Sequence, residues 1–255
     1  MMENEDKIPK IIHYCWFGKN KKSEVIEKCI KSWKKYLPEY EIREWNDEDV
    51  QNIECNYVQE AFSMKKYAFV SDFFRLYALY NYGGIYFDTD NQIFKSFDDF
   101  LDLDFFTGYE NWKNKISPFT AVVGAKKHNI IVKELLSEYD NIHFILSNNE
   151  FDMTTNTKRV SNYFNLKYNL CPPYDENSTT ILEQNCVIFP SNYFCKYKNN
   201  VSYAVHLFNA SWVYEYKDNL SFLQKIFSIT KEQKNGVKRK VLTILGLKIK
   251  YKDGK

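Results

Sequence analysis

The sequence predicts an α/β fold with a mostly parallel central sheet flanked by helices. Two observations favour this class. Short apolar segments typical of strands alternate along the chain with segments of helical periodicity, and 255 residues suit one sizeable domain. Hydrophobic residues make up 44% of the chain, which is enough for a buried core. In sheets of this kind, ligands bind beyond the carboxyl ends of the strands.

Most of the elements follow from hydrophobic spacing and from glycine and proline breaks. The predicted order is strand 8–17, helix 23–36, strand 40–45, helix 67–82, strands 85–87, 105–109 and 120–124, helices 129–139 and 158–164, and strands 187–190 and 203–207. Gly83 suits the left-handed conformation just past a helix end. The strand that follows it leads directly to Asp88.

Composition excludes several classes of protein. The six cysteines contain no CxxC pair and predict reduced thiols of a cytoplasmic protein rather than a disulfide frame or zinc site. The polar, acidic N-terminus does not resemble a signal peptide, and no apolar run approaches the ~20 residues of a membrane span. No glycine-rich phosphate loop such as GxGxxG occurs, so phosphate must be bound in another way.

Charge is unevenly distributed. Residues 231–255 carry nine Lys or Arg against two acidic residues, a net charge of +7, so the rest of the chain carries −5. Apolar residues alternate with these cations, and such a segment can lie on an anionic membrane surface. We therefore divide the chain into a main domain, 1–230, and a basic amphipathic tail, 231–255; a solvated terminal helix is the alternative for the tail. An acidic main domain argues against a nucleic-acid partner.

The residue types that indicate chemistry lie in YGGIYFDTDNQ, where an apolar strand ends in Asp88 and Asp90. In an extended segment, carboxylates one residue apart share a face and can reach one cation. Hard oxygen ligands prefer Mg²⁺ or Mn²⁺, which commonly complete their coordination with substrate phosphates and can stabilise a departing diphosphate. Solvated turns also contain such pairs, so the pattern gains its weight from the helix, the Gly-Gly stop and the strand that precede it.

Asp72 and Arg75 lie one helical turn apart on the predicted helix 67–82 and therefore share a face. A surface ion pair of this kind would stabilise the protein by at most about 1 kcal/mol. This helix is apolar on almost all sides, however, and a buried ion pair is costly to desolvate. We therefore expect Asp72 and Arg75 to serve a functional site.

Three stretches of the chain, IPKIIHYCWFG, YAFVSDFFRLYALYNYGGIYFDTD and AVHLFNASW, resemble glycosyltransferase family 32. This group of DXD-containing sugar transferases includes bacterial capsule-synthesis enzymes and yeast mannosyltransferases. It is related in its core to the glucosylating domains of large clostridial toxins. The resemblance covers about residues 8–215. It implies a GT-A type nucleotide-diphospho-sugar transferase fold, a divalent metal (Mn²⁺ or Mg²⁺), and transfer with retention of anomeric configuration.

The resemblance also implies roles for individual residues. Asp72, Arg75, Asp88 and Asp90 would form the catalytic set, and Asp88, Asp90 and His206 would serve the metal, Asp88 mainly through water. The nucleotide-sugar would be bound by Trp16, Ser71, Asp72, Arg75, Tyr86, Asp88, Ser211 and Trp212, with Trp16 stacked on the base. His206 could instead be a core histidine, and His13 is expected to be structural. The family's Thr-Gly-Pro loop, which often meets the donor sugar or acceptor, reads Met153-Thr154-Thr155-Asn156 here.

The expected reaction is transfer of a hexose from a UDP-sugar, of the UDP-galactose or UDP-glucose type, to a glycan or lipid-linked oligosaccharide in bacterial capsule or surface-polysaccharide synthesis. The protein would then be cytoplasmic, with peripheral contact at the inner face of the plasma membrane. Two alternatives remain open. An aspartyl-phosphate phosphohydrolase also has Asp-x-Asp after a strand, although Asn91-Gln92 is an unusual continuation. A non-catalytic sugar-binding protein could use the same aromatics and carboxylates.

Overall fold

The computed structural model describes residues 6–119 and 121–209, together with the backbone of residues 227–234, 237–244 and 247–252. The chain divides into two compact units, Met1–Asn209 and Ala210–Lys255. The predicted domain boundary at residue 230 lies within a described strand of the second unit and stays a prediction.

The first unit is built around a seven-stranded mixed sheet. Its strand order is β2-β1-β3-β8-β5-β10-β9. Strands β1, β2, β3, β5 and β10 run in one direction, and β8 and β9 run in the other. The bounds of these strands are β1 Ile11–Cys15, β2 Glu41–Trp45, β3 Gly84–Phe87, β5 Phe105–Gly108, β8 Val122–Ala125, β9 Thr180–Glu183 and β10 Cys186–Phe189. The α/β class with a largely parallel sheet is confirmed.

Smaller strands pair outside this sheet. Strand β4 pairs with β11 in an antiparallel arrangement, and β6 and β7 form a hairpin directly after β5. Their bounds are β4 Asn91–Ile93, β6 Glu110–Trp112, β7 Lys115–Ser117 and β11 Ala204–His206. Sequence periodicity did not predict β4, β6 or β7, because three-residue strands are too short to show a period.

Helices cover both faces of the sheet. They are α1 Glu24–Tyr36, α2 Asp47–Val50, α3 Asn56–Ser63, α4 Tyr67–Tyr82, α5 Ile130–Ser137, α6 Asn156–Tyr168 and α7 Ser191–Phe194. Alternate strand residues enter two separate cores, as the pleat of a strand requires. In β3, for example, Tyr86 packs with α3–α6, whereas Ile85 and Phe87 pack with Trp33 of α1. No described helix is long and apolar enough to cross a membrane.

The connection from α4 to β3 places Asp88. Helix α4 has the bounds that its periodicity predicts, and Gly83 follows it with φ 66°, as expected. A Cβ atom on Gly83 would lie 2.7 Å from the backbone nitrogen of Lys127, and one on Gly84 would lie 2.5 Å from the Ile11 carbonyl oxygen. The two glycines therefore allow β3 to start beside β1 without a linker.

The second unit contains three antiparallel strands in the order β12-β13-β14. Their bounds are β12 Phe227–Lys234, β13 Val237–Ile244 and β14 Leu247–Lys252. Most of the basic tail predicted from the sequence therefore lies in strands, and the alternative of a terminal helix was wrong.

Candidate active site

The carboxyl ends of three parallel strands meet at one edge of the sheet, and each is followed by a residue of interest. Trp16 follows β1, Asp88 follows β3, and Glu110 comes two residues after the end of β5. The charges of Arg75 and Asp88 both act on the Cys15 thiol at the end of β1, so that strand end lies close to the charged residues. This edge is where ligands bind in open α/β sheets.

Asp88 and Asp90 lie on a tight turn between β3 and β4, and the expectation of an extended segment was wrong. The N–H of Asn91 donates to the Asp88 carbonyl over 3.1 Å, which closes the turn. The fully buried Asn91 side chain donates to the carbonyls of Asp88 (3.2 Å) and Ala121 (3.0 Å), and Trp33 Nε1 donates to the Asn91 carbonyl (2.7 Å). Tertiary packing around Asn91 thus selects the turn.

The first charged cluster joins α4 to the end of β3. Nη2 of Arg75 lies 3.3 Å from Oδ1 of Asp72 and 3.0 Å from Oδ1 of Asp88. The guanidinium carbon lies 4.7 Å from the centre of the Tyr86 ring, a cation–π contact. These four residues, all predicted for the site, are therefore in direct contact and largely buried.

Burial sets the protonation of this cluster. It raises the pKa of Asp72 to about 6, although Arg75 and the Asn156 amide act in the opposite direction. It also raises the pKa of Asp88, again against Arg75, and the nearby Asp90 and Glu110 add to the rise. Loss of water around a carboxylate disfavours its charged form, and a neighbouring cation restores it. Arg75 therefore offsets part of the cost of burying these two carboxylates.

The start of α6 holds the other side of Asp72. The backbone N–H of Asn156 donates to Oδ2 of Asp72 over 3.0 Å, and Nδ2 of Asn156 donates to the Asp72 carbonyl over 2.9 Å. Asn156 is 3% exposed, and its Oδ1 has no hydrogen-bond partner in the described structure. A helix N-terminus favours a negative charge, so α6 stabilises the Asp72 carboxylate. The loop that departs from the family pattern therefore touches the site.

The second charged cluster joins the turn after β3 to β11 and the β6–β7 hairpin. Nε2 of His206 lies 3.3 Å from Oδ1 of Asp90, and Nδ1 of the same ring lies 3.0 Å from Oε2 of Glu110. Oδ2 of Asp90 accepts the backbone N–H of Asn209 over 2.7 Å. His206 therefore bridges two carboxylates, so the alternative of a core histidine without polar partners was wrong.

These contacts shift both pKa values. Burial alone would lower the pKa of His206, but Asp90 and Glu110 outweigh it and raise the pKa to about 10. Burial would raise the pKa of Asp90, but His206 and the Asn209 amide hold that carboxyl below its usual range. Both carboxylates thus favour the protonated imidazole, and a metal ion that bound Nε2 would have to displace that proton.

The two clusters together carry more negative than positive groups. Four carboxylates (Asp72, Asp88, Asp90 and Glu110) face one guanidinium and one imidazole, and His206, Asp90 and Glu110 all act electrostatically on Asp88. Buried charge of one sign needs a partner. The surplus therefore favours a cation at this edge of the sheet.

A divalent ion fits the donors that are present. Ligands in adjacent positions of an octahedral ion, with bonds of about 2.1 Å, lie about 3 Å apart. Asp90 Oδ1 and His206 Nε2 are 3.3 Å apart, which suits two such positions. Among the described residues, no group of three or more His, Cys, Asp or Glu side chains forms a complete metal site. The remaining positions would have to be filled by water or by a ligand such as a diphosphate.

The other predicted site residues have local contacts. Trp16 Nε1 donates to the Asn20 carbonyl over 2.7 Å, and Nζ of Lys22 lies 5.2 Å from the centre of the Trp16 ring. The Ser71 hydroxyl donates to the Tyr67 carbonyl one turn earlier in α4, over 3.0 Å. Ser211 and Trp212 lie outside the described residues, so their predicted roles stay predictions.

Sequence reasoning missed Glu110, Asn91 and Asn156. A signal for Glu110 was available, because FFTGYE places a carboxylate just after a buried strand, as YFDTD does. Asn91 and Asn156 gave no such signal, since both act through contacts set by packing.

Comparison with known sequences agrees with this geometry. Residues 23–107 match the family model described as "Glycosyltransferase sugar-binding region containing DXD motif". The match spans about a third of the chain and includes α4 and the Asp88-Thr89-Asp90 turn. It supports a family of DXD-containing glycosyltransferases for this region.

Two individual proteins are similar to the chain. Inositol phosphoceramide mannosyltransferase 3 of Schizosaccharomyces pombe is 32% identical over 118 residues, which are 44% of this chain and 30% of the relative. The aligned part is thus less than a third of that protein's length. Among solved structures, "PaToxG Glycosyltransferase" is similar with a TM-score of 0.45 and 20% identity, over 63% of this chain and 70% of that one.

Proposed function

We propose that this protein is a metal-dependent retaining glycosyltransferase that moves a hexose from a UDP-sugar of the UDP-galactose or UDP-glucose type to a glycan acceptor. The observation that carries the proposal is the surplus of carboxylates around the Asp88-Thr89-Asp90 turn, at the edge where β1, β3 and β5 end. The match of residues 23–107 to a DXD sugar-binding region supports the same reading.

Asp90 and His206 would hold the metal, with Asp88 acting mainly through water. When bound, Mn²⁺ or Mg²⁺ would supply Lewis-acid stabilisation of the departing diphosphate. Arg75 would add a fixed positive charge for the same phosphate oxygens or for the sugar, because Asp72 and Asp88 already hold its guanidinium in place. Such preorganised charge needs no rearrangement when the bond breaks.

Trp16 would stack on the nucleobase beside the end of β1, and Tyr86 would line the same pocket. Asp72 and Asp88 would accept hydrogen bonds from sugar or ribose hydroxyls, with Ser71 beside them. The family resemblance also assigns Ser211 and Trp212 to donor binding. These assignments rest on the family resemblance and on the packing of Asp72, Tyr86 and Asp88 around the guanidinium of Arg75.

Retention would follow from attack on the leaving-group face of the sugar. The bond from the anomeric carbon to the phosphate oxygen breaks as the acceptor oxygen bonds to that carbon, and the acceptor's proton passes to the released phosphate. Trapping a glycosyl adduct on a side chain would overturn same-face attack.

The decisive experiment incubates the purified protein with a panel of UDP- and GDP-sugars, with and without Mn²⁺, and measures the nucleotide released. The name of the fission-yeast relative places mannose among the sugars to include. We expect slow, metal-dependent release from one or two donors and its loss in Asp90→Ala. If neither release nor Mn²⁺-dependent UDP binding occurs, the proposal is wrong. Phosphate release from an aryl phosphate would then favour a phosphohydrolase, and nucleotide-independent sugar binding a sugar-binding protein.

The acceptor part of the proposal is a lipid-linked oligosaccharide in bacterial capsule or surface-polysaccharide synthesis, reached from the cytoplasmic face of the plasma membrane. It rests on the net charge of +7 in residues 231–255 and on the interleaved apolar residues. Deleting those residues should abolish binding to anionic liposomes and spare donor hydrolysis. Unchanged liposome binding would remove the membrane contact from the proposal.

A further inference from the structure

Glu110 is the one acidic residue of the second cluster that neither the motifs nor the family resemblance assigns. It is the first residue of β6, and its side chain is 18% exposed. Its Oε2 atom lies 3.0 Å from Nδ1 of His206 across 96 residues of chain. A partly buried carboxylate so placed against one ring nitrogen can determine how the ring is used.

The two nitrogens of His206 face different carboxylates. Nδ1 faces Glu110, and Nε2 faces Asp90. A carboxylate can only accept, so Glu110 keeps the Nδ1 proton in place. Asp90 accepts from Nε2 in the same way, so an ion bound there would have to displace the Nε2 proton. The neutral ring would then keep its proton on Nδ1, facing Glu110, and direct the Nε2 lone pair to the ion. Histidine binds metal through its unprotonated nitrogen, and the hydrogen bond of the other nitrogen fixes which one that is.

The β6–β7 hairpin holds the same ring by a second contact. Glu110 and Trp112 are two residues apart on β6 and therefore point to the same face of the strand. The Trp112 ring packs against Phe208 with centroids 5.2 Å apart, and Phe208 packs against the His206 ring with centroids 4.0 Å apart. Two residues of the hairpin thus contact the segment after β11 and its last residue: Glu110 contacts His206, and Trp112 contacts Phe208.

We propose that Glu110 is a positioning residue of the metal site, which fixes the tautomer and the orientation of His206 so that Nε2 is directed to the ion beside Asp90. This inference rests on the proposed function, because it assigns a purpose to the ligand pair named there. The β6–β7 hairpin then contributes to the metal site through Glu110. Asp88 and Asp90 alone would leave the orientation of the His206 ring undetermined.

The test measures Mn²⁺ affinity in the full chain by electron paramagnetic resonance of the free ion, for the unmodified protein, Glu110→Gln and Glu176→Gln. An amide can donate as well as accept, so Glu110→Gln no longer selects one tautomer, and we expect the Kd for Mn²⁺ to rise about 10-fold or more. Glu176 is a matched control: its side chain is 14% exposed and accepts from Asn111 and Lys196. Its substitution should leave the Kd unchanged.

A spectroscopic measurement separates positioning from a general loss of structure. In protein labelled with ¹⁵N-histidine and loaded with diamagnetic Mg²⁺, NMR should show His206 protonated on Nδ1, and Glu110→Gln should add a second population in which the ring is released from the ion. If Glu110→Gln fails to fold, Glu110→Asp replaces it, because it keeps the charge but withdraws the carboxylate by one methylene group. A several-fold weaker Mn²⁺ affinity in that variant would support the inference, and an unchanged affinity would overturn it.

The two possible failures are distinguishable. If the unmodified protein does not bind Mn²⁺ or Mg²⁺ even with UDP, the metal part of the proposed function is wrong whatever Glu110 does. If it binds the ion and Glu110→Gln binds it within two-fold of the same Kd, the positioning role is wrong and the proposed function stands.

Discussion

Nη2 of Arg75 lies 3.0 Å from Oδ1 of Asp88, and this contact ties the middle of α4 to the residue that follows β3. The same nitrogen lies 3.3 Å from Oδ1 of Asp72. One guanidinium therefore serves two carboxylates that have little access to water. Its removal should affect the stability of the protein as well as any activity.

We predict that Arg75→Ala lowers the free energy of unfolding by about 3–5 kcal/mol, because it leaves buried carboxylates without their partner. Urea denaturation near neutral pH measures this. The double variant Arg75→Ala/Asp72→Asn removes one of the two stranded charges and should recover part of the loss. Equal stability of Arg75→Ala and the unmodified protein would contradict the packing described for this cluster.

A second prediction concerns the nucleobase. Stacking of a base on an aromatic ring is worth about 1–3 kcal/mol, so Trp16→Ala should weaken UDP binding by roughly 5- to 150-fold. Trp16→Phe should retain part of the affinity. Calorimetric titration with UDP and Mn²⁺ measures both. Tyr197→Ala is the control, since Tyr197 is an exposed ring that packs on Phe94. A similar loss in the control would show that the effect is not specific to Trp16.

The sequence predicts this fold well where local rules decide the structure. Helix α4 has its predicted bounds, because apolar residues cover it and Gly83-Gly84 ends it. Six of the seven strands of the sheet lie within a few residues of their predicted positions, and the edge strand β9, whose residues are mostly exposed or half-buried, was not predicted. Arg75 and Asp72 could be proposed together for the same reason, as residues one turn apart on a buried helix.

What the sequence did not predict depends on contacts between distant parts of the chain. The Asp88–Asn91 turn is selected by Trp33 and Ala121, which lie in distant parts of the chain, whereas the spacing of Asp88 and Asp90 after a strand suggested an extended segment. The pairing of Glu110 with His206 joins a three-residue strand to the last described strand of the first unit. Neither contact leaves a periodic trace in the sequence, because each depends on a single residue.

The contact between α6 and Asp72 gives a third prediction. Asn156→Asp replaces the Nδ2 donor with an acceptor opposite the Asp72 carbonyl and adds a charge near the Asp72 carboxylate. We expect a loss of roughly 1–3 kcal/mol in unfolding free energy, the usual cost of an unsatisfied buried polar group. Urea denaturation of Asn156→Asp beside Asn149→Asp, a substitution in an exposed loop, measures it. Equal effects of the two substitutions would mean that Asn156 does not hold Asp72.

The last prediction concerns His13, which is fully buried in β1 and has a structural role, as expected. Trp45 Nε1 can only donate, so Nδ1 of His13 accepts its hydrogen over 3.3 Å, and Nε2 donates to the Gly83 carbonyl over 2.8 Å. These two partners fix a neutral ring with its proton on Nε2. A second proton on Nδ1 would oppose the Trp45 N–H. Burial lowers the pKa of His13 to about 4, although the Gly83 carbonyl acts in the other direction.

As the pH falls from 6.5 to 4, His13 therefore binds a proton in the unfolded chain but not in the folded protein. Stability then rises with pH across this window and is lost as the pH falls through it, by up to about 3 kcal/mol from this residue. Urea denaturation at pH 7, 5.5 and 4.5 measures the slope. His13→Gln can still donate to Gly83 but cannot titrate, so its stability should fall less over the same range. Parallel slopes for the two proteins would mean that His13 is protonated in the folded state, against the hydrogen bonds that it makes with Gly83 and Trp45.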